Sequence, residues 1–593
     1  MKKTFKTACL LLELTVLTVL VAMVFHCRAQ DERSIKNIET FARLYGYVRY
    51  FHPSDEAAQT DWNRYAIYGV KRASAAQNPE ELKRILEELF QPIAPTLVLY
   101  RNNEQKTVTH STLHPAEPTG QEVIAWQHRG VKFPDSPDVF DSIRVTGSKR
   151  LYPQLPAIGE HINKDIGNGL SCNLPLALYC TRYHTYPTPP PNAFETLQTA
   201  IAREVPPYPR AADPAVRQAG IVITWTAMQH FYPYFDLAEV NWDHRLTRAL
   251  RRAQTDKTET EFLNTLRDLL EPLKDCNAAV YHPVLNDQAW LPIKTVWAEH
   301  LAVIAATRDK SFHRGDIILA IDGKKVDKLL REREKTISGT PQWKRHQAIN
   351  LLGSGTKGTN ARLELLREGK VIEITTPRDF KGQVREFYYP PIRELKNNIY
   401  YINLEHITPT QFEANRQQLA DARGVIFDAR GNVAYEKRHI LGALVDHPIK
   451  TPYYRYPEII YPDREKARYT DYAWNTVPKA PRITATCVFL VDTGAINATE
   501  TFMGMVEYYR LGEIVGQATA GTNGNINVLR LPGAYMVFFT GMRVEKQDHT
   551  QHHLIGIKPT VAVERTVAGI KQGRDEILEK AMEIILNKKL TNN

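Results

Sequence analysis

Cysteine is scarce in this chain: six in 593 residues, and two of them, Cys9 and Cys27, fall within the first thirty. The four that remain, Cys172, Cys180, Cys276 and Cys487, are too few and too scattered for a disulfide framework, and their spacing matches no zinc pattern. Buried free thiols are the plainer reading, although Cys172 and Cys180 are close enough in sequence to bridge in an oxidising compartment. Neither charge sign dominates, with 76 Lys and Arg against 66 Asp and Glu, and the basic residues form no stripe with interleaved aromatics. That excludes a nucleic-acid-binding surface. Beyond the N-terminus no apolar run reaches membrane-spanning length.

What is present is ordinary globular material. Hydrophobic residues at 43% and charged residues at 24% exclude a disordered or fibrous chain, and the length calls for roughly three to five domains. The first residues read as an export segment: Lys2, Lys3 and Lys6 precede an apolar run from Ala8 to Phe25, and Cys27-Arg28-Ala29 offers a cleavage site. Uncleaved, residues 8–25 would serve as a membrane anchor, so the expectation is an extracytoplasmic protein, periplasmic or secreted.

An internal repeat follows. Phe51, Pro53, Trp62, Leu86, Leu89 and Pro92 recur at constant offset as Phe231, Pro233, Trp242, Leu266, Leu269 and Pro272. In each copy an aromatic-Pro turn leads to a Trp and two helical runs. The second run is opened by Asn78 before Pro79 in the first copy and by Thr258 with Glu261 in the other. Between the copies, Thr96–Arg101 and Glu122–Val131 read as strands, and the proline-rich stretches ending at Pro214 place a boundary near residue 205. Residues 290–378 are strand-rich and contain Arg314-Gly315-Asp316-Ile317-Ile318-Leu319-Ala320-Ile321-Asp322-Gly323, a turn, an alternating strand and a hairpin turn. From about Tyr389, strands (398–404, 424–429, 486–492) alternate with helices such as 500–510, as in an α/β layered domain.

The string around Gly315 resembles a PDZ domain. That resemblance implies an exposed sheet edge that takes up an extended peptide, with Arg314, Gly315 and Ile317 as peptide-binding residues. Residues 269–581 as a whole resemble the tail-specific (C-terminal-processing) serine peptidases and their tricorn-like relatives. The likeness is carried by Asp275-Cys276-Asn277, Asp428-Ala429-Arg430-Gly431-Asn432, Gly494-Ala495-Ile496-Asn497-Ala498-Thr499-Glu500 and the run from Gly516 to Gly524. The expected architecture is multidomain α+β: signal peptide (1–29), helical plus β-rich domain (30–205), second helical module (206–288), PDZ-like domain (289–380) and peptidase-like α/β core (381–593).

The resemblance implies acyl transfer by a serine at a strand-to-helix turn, with a base and an oxyanion hole. The family's serine falls at Asn497, however. The lysine base of one branch falls at Thr522, and the histidine base of the tricorn-like branch at Asn277. Each such loss typically lowers turnover by on the order of a millionfold. Gly431 falls where the family has an oxyanion donor, and its plainer role is a turn glycine. Thr499 and Thr501 are displaced from the nucleophile position and read as helix-capping residues, as does Asn497 itself. His549, His552 and His553 do not converge on one ion if the segment is extended, so no metal or other cofactor is expected. Asp428 and Glu500 remain a candidate carboxylate pair.

Three functions follow. The leading one is binding of extended polypeptide with hydrolysis impaired or lost. The second is a working serine- or threonine-type peptidase using Thr499 or a base that the motifs do not mark. The third is a carrier of apolar ligands, as in the similar retinoid-binding modules of the eye.

Overall fold

The computed structural model describes residues 30–104, 121–131, 141–146, 150–182, 184–382 and 384–588. The export segment, residues 1–29 with the anchor candidate 8–25, lies outside them. Among the described residues no helix is long and apolar enough to cross a membrane.

The repeated sequence forms repeated structure. Helices Trp62–Ser74 and Pro79–Phe90 of the first copy match Trp242–Thr255 and Glu259–Leu270 of the second. Each second helix starts as its sequence dictates. The Asn78 side chain accepts from Glu81 N at 2.9 Å, and Thr258 Oγ1 accepts from Glu261 N at 3.1 Å. The long helices that open each copy, 30–51 and Pro214–Phe231, cross closely: a Cβ added to Gly46 would lie 2.6 Å from His230 Nε2. One apolar core takes in both copies, from Ile35 through Phe231 to Leu273, so residue 205 lies inside a packed unit rather than at a seam between two. The proline-rich connector runs over the outside of that core, with Tyr208 at 91% exposure. Cys172 and Cys180 are buried free thiols on strands of different sheets, Leu170–Pro175 and Ala177–Cys180, so they do not bridge.

Residues 293–377 form a sheet ordered Ile293–Ala298, Leu301–Thr307, Ile317–Ile321, Asn360–Arg367 and Lys370–Pro377, with helices Val326–Glu334 and Pro341–Asn350. Strand Ile317–Ile321 is interior: Ile317 pairs with Val303 on one side and Leu366 on the other. The edge expected after Gly315 therefore does not exist, because both rows of backbone hydrogen-bonding groups are already used. Gly315 itself, at φ +90°, packs against Lys571, and Arg314 lies against Gly573. All three residues expected to bind peptide are structural contacts. The free edges of this sheet belong to Ile293–Ala298 and Lys370–Pro377.

The C-terminal part is an α/β layer. Its central sheet runs Ile392–Leu395, Ile399–Asn403, Gly424–Asp428, Thr486–Val491, Glu513–Gly516 and Val561–Ala562, and every pairing after the first is parallel. A parallel strand buried on both faces should be apolar throughout, and Gly424–Asp428 is buried at every position. Helices Pro409–Ala420 and Ala498–Tyr509 pack on one face and Glu576–Asn587 on the other. The chain turns into helix Ala498–Tyr509 just past the C-terminal end of strand Thr486–Val491, the position where open α/β sheets place ligands.

Candidate active site

Asn497 sits at that turn with φ 55° and ψ −115°, a conformation that L-residues adopt at a cost of about 1–3 kcal/mol and that persists only where its surroundings impose it. The restraints are visible. Asn497 N donates to Thr522 O at 3.1 Å, Ala520 N to Ala495 O at 2.9 Å, and Gly494 N to Asp492 Oδ1 at 2.9 Å. A strand that breaks sharply into a helix lifts one side chain clear of the sheet beside the unpaired N–H groups of the helix's first turn.

That side chain does not cap the helix, contrary to the sequence expectation. It faces Asn277 instead. Asn277 Nδ2 donates to Asn497 Oδ1 at 3.0 Å, and Asn497 Nδ2 donates to Asn277 Oδ1 at 2.9 Å. The two residues expected at the nucleophile and base positions thus close a reciprocal amide pair across 220 residues of sequence. Strand Ala279–Tyr281 brings Asn277 there by pairing with Met536–Thr540. On its far side, Asn277 Nδ2 also donates to Thr540 Oγ1 at 3.0 Å, and Thr540 Oγ1 donates to Asp275 Oδ1 at 2.8 Å. The wiring is that of a triad, with one group at the turn, a second in hydrogen-bond reach and a third orienting the second. The chemistry is not. A carboxamide nitrogen has its lone pair delocalised into the carbonyl, and neither amide accepts a proton near neutral pH. Asp275 is the nearest ionisable partner. Burial raises its pKa, opposed by the hydrogen bonds from Thr540 and the Asn277 N–H.

The other expected residues surround this pair. Thr522 is fully buried; its carbonyl holds Asn497 N, and its hydroxyl accepts from Cys276 N at 3.2 Å, tying the Asn277 loop to the turn. Thr499 is neither a cap nor a free hydroxyl. Its Oγ1 donates to Gly431 O at 2.9 Å and accepts from Val433 N at 3.0 Å, which fixes the Gly431 loop beside the turn. Thr501 back-bonds to Asn497 O at 3.4 Å and accepts from Asn523 Nδ2 at 2.9 Å, so it does not cap the helix either. Gly431 lines a cleft of about 1360 Å³, and its N–H donates no hydrogen bond among the described residues. Arg430 anchors that loop through two buried carboxylates, with Nη2 2.7 Å from Asp428 and 2.8 Å from Asp575.

Asp428 and Glu500 are not a carboxylate pair. Asp428 is taken by Arg430 and Tyr401, whereas Glu500 accepts from Gly521 N at 2.7 Å and lies 3.1 Å from His552 Nε2. This last contact places the histidine stretch in the interior. His552 and His553 are each only 1% exposed, the first bonded to Glu500 beneath the helix and the second stacked on Tyr234 at 3.8 Å. Nothing in local sequence pattern marks them, because their partners are remote. Among the described residues no group of three His, Cys, Asp or Glu could hold a metal ion.

Residues 398–563 match the model of peptidase family S41. The match is to this domain, and over these residues the chain is similar to the tail-specific proteases. Among solved structures, mature CPAF is similar at TM-score 0.52 and 14% identity, covering 63% of this chain and 98% of its own. Mature CPAF complexed with lactacystin is similar at TM-score 0.51 and 13% identity, with the same coverage. A serine-to-alanine mutant of CPAF aligns at 0.52 and 13%, again over 63% and 98% of the two chains. At these identities the likeness establishes the peptidase fold. No curated protein matches the chain.

Proposed function

We propose that this chain is an exported protein of peptidase fold that binds extended polypeptide and has lost, or nearly lost, the ability to cleave it. The observation that carries the reading is the amide pair: the two positions that should exchange a proton satisfy each other instead. A working peptidase through Thr499 needs that hydroxyl as nucleophile, and it already donates to Gly431 O inside the protein. The carrier alternative calls for an apolar cleft, and the cleft walls include Lys294, Arg385, Glu405, Asp428, Arg430 and Arg565.

Polypeptide binding is supported by the edge of Ile293–Ala298, unpaired among the described residues, which borders the cleft and runs beside helix Pro341–Asn350. An extended peptide added there gains main-chain hydrogen bonds from the strand and side-chain pockets from the helix. We read residues 289–380 as PDZ-like on that basis, with the peptide edge moved from the Gly315 strand to this one. Export rests on the basic and apolar pattern of residues 1–29. The duplicated helical modules, with their single core, act as one scaffold that carries Asp275 and Asn277 to the turn.

The reading is tested by mixing the mature protein with a fluorescein-labelled unfolded polypeptide, following anisotropy and then running a gel. Saturable binding with the polypeptide recovered intact is expected. Steady release of fragments, or no binding at all, overturns it.

A further inference from the structure

The helical scaffold meets the 293–377 sheet unit where Ser338 Oγ donates to Glu271 O at 3.2 Å and Lys344 pairs with the Glu271 carboxylate. Arginine is abundant along this interface and carboxylate is not. Arg245, Arg248 and Arg252 share the single carboxylate of Asp268, at 3.5, 3.2 and 3.2 Å. Glu271 is already taken by Lys344, and Glu334 by Arg345.

Two guanidiniums are left over, one from each side. Arg267, on helix Glu259–Leu270, donates from Nη1 to the neutral Asn264 Oδ1 at 3.4 Å. Arg333, in the last turn of helix Val326–Glu334, donates to Ser354 Oγ at 3.3 Å and to Ser354 O at 3.4 Å. Both side chains are half-buried, and neither pairs with a carboxylate among the described residues. Their bonds are long, and each fork of five N–H donors is mostly unspent. Arg378 adds a third cation: it donates to Asp322 Oδ2 at 2.5 Å, and a Cβ built on Gly355, the residue after Ser354, would lie 2.6 Å from its Cδ. Burial, and then the charges of Arg378 and Arg267, hold Arg333 below the usual arginine range, and burial alone does the same to Arg267. A guanidinium removed from water without a counter-charge is unfavourable, and a second one within electrostatic range adds repulsion.

We infer that Arg267 and Arg333 form a binding site for a doubly charged tetrahedral oxyanion, phosphate or sulfate, held between the helical scaffold and the sheet unit. The planar guanidinium forks match the oxygens of such an anion in pairs, and its two charges offset both cations. A lone carboxylate would neutralise only one of them. The acidic neighbours do not oppose the anion, because Glu271, Glu334 and Asp322 each already hold a cation. The site is separate from the Asn497 turn and from the cleft, and it stands whether or not the protein binds polypeptide.

The test is thermal unfolding of the full mature protein in sodium phosphate, sulfate, acetate and chloride at one pH and one ionic strength, with calorimetric titration of phosphate alongside. Wild type should bind phosphate saturably at one site and melt higher in phosphate and sulfate than in acetate or chloride. Arg267→Met and Arg333→Met should each weaken phosphate binding about tenfold or more. The order of stabilities should also reverse. In chloride Arg333→Met should melt at or above wild type, because it removes an uncompensated cation, whereas in phosphate wild type should melt higher. Arg333→Lys, which keeps the charge and loses the fork, should fall between. Glycerol 2-phosphate in place of phosphate identifies the source: tighter binding of the ester marks a phosphoryl group on a larger molecule, and weaker binding marks the free anion.

Equal melting of wild type in all four salts, with no heat on titration, would overturn the inference, and that comparison needs no variant to fold. A rise in phosphate that survives in both methionine variants would also overturn it, since the anion then binds elsewhere. So would methionine variants that melt well below wild type in chloride, which would mark the two arginines as structural.

Discussion

The Asn497 turn and the groove beside Ile293–Ala298 are neighbours with opposite polar accounts. At the turn, Asn497, Asn277, Thr499 and Thr540 all find partners within the protein. In the groove, among the described residues, Lys294 hydrogen-bonds only a neutral amide and the His346 ring nitrogens make no hydrogen bond. A site poised for chemistry keeps a group unsatisfied until substrate arrives, and so does a site poised for binding. On the proposed function, the groove is the side that binds and the turn the side that is closed.

The comparison breaks most visibly if chemistry can be returned to the turn. The paired change Asn497→Ser with Asn277→His should raise cleavage of an unfolded polypeptide by several orders of magnitude, since about a millionfold is lost without nucleophile or base. Thr540, which already holds Asn277, is placed to orient the new ring. Either change alone should leave fragment release at the buffer rate on a gel time course.

Acid should affect the framework before the groove. Burial holds His52, His128 and His553 down to about 3 and His230 to about 4. A histidine depressed in the folded state binds its proton only after unfolding over the window from about 6.5 down to those values. Stability therefore falls as pH drops below about 6.5, by up to about 1.4 kcal/mol per pH unit for each histidine. Asp275, raised by burial, opposes this at the acid end. Urea midpoints measured between pH 7.5 and 5 should decline, and a flat profile would show that these rings are not buried neutral.

The support beneath the turn can be separated from the groove by His552→Ala. It removes the His552 Nε2 contact to the fully buried Glu500, which keeps its bond from Gly521 N, so a loss of about 1–3 kcal/mol is expected in urea unfolding. Peptide affinity per folded molecule should be unchanged. The smallest effect belongs to Arg314→Ala, which should move stability by no more than about 0.5 kcal/mol and peptide affinity not at all. A large affinity loss there would return the binding site to the Gly315 strand.

Much of this was legible in the sequence because it is local. Helix starts at Pro79 and Glu259 follow from Asn78 and Thr258, and the buried strands 424–428 and 486–491 from their apolar runs. The family motifs pointed to the turn and to Asn497 and Asn277, which the fold brings into contact. What pattern could not give was pairing across long separations. The string around Gly315 reads as an alternating strand whether that strand lies at an edge or inside a sheet, and only its two neighbours, Val303 and Leu366, decide. Asn497 and Thr499 fit helix caps by residue type, but their side chains are claimed by Asn277 and by Gly431. Likewise nothing local in the sequence marks His552 and His553 as buried; their partners Glu500 and Tyr234 are remote.

The central claim is that the turn is a peptidase elbow without a nucleophile. Its most direct test is intact-mass measurement after treatment with a fluorophosphonate probe, which adds covalently to activated hydroxyls. Wild type should show no adduct, while the Asn497→Ser, Asn277→His variant should gain one at position 497. An adduct on the wild-type protein that disappears in Thr499→Ala would contradict the account and make the chain a working threonine-type enzyme.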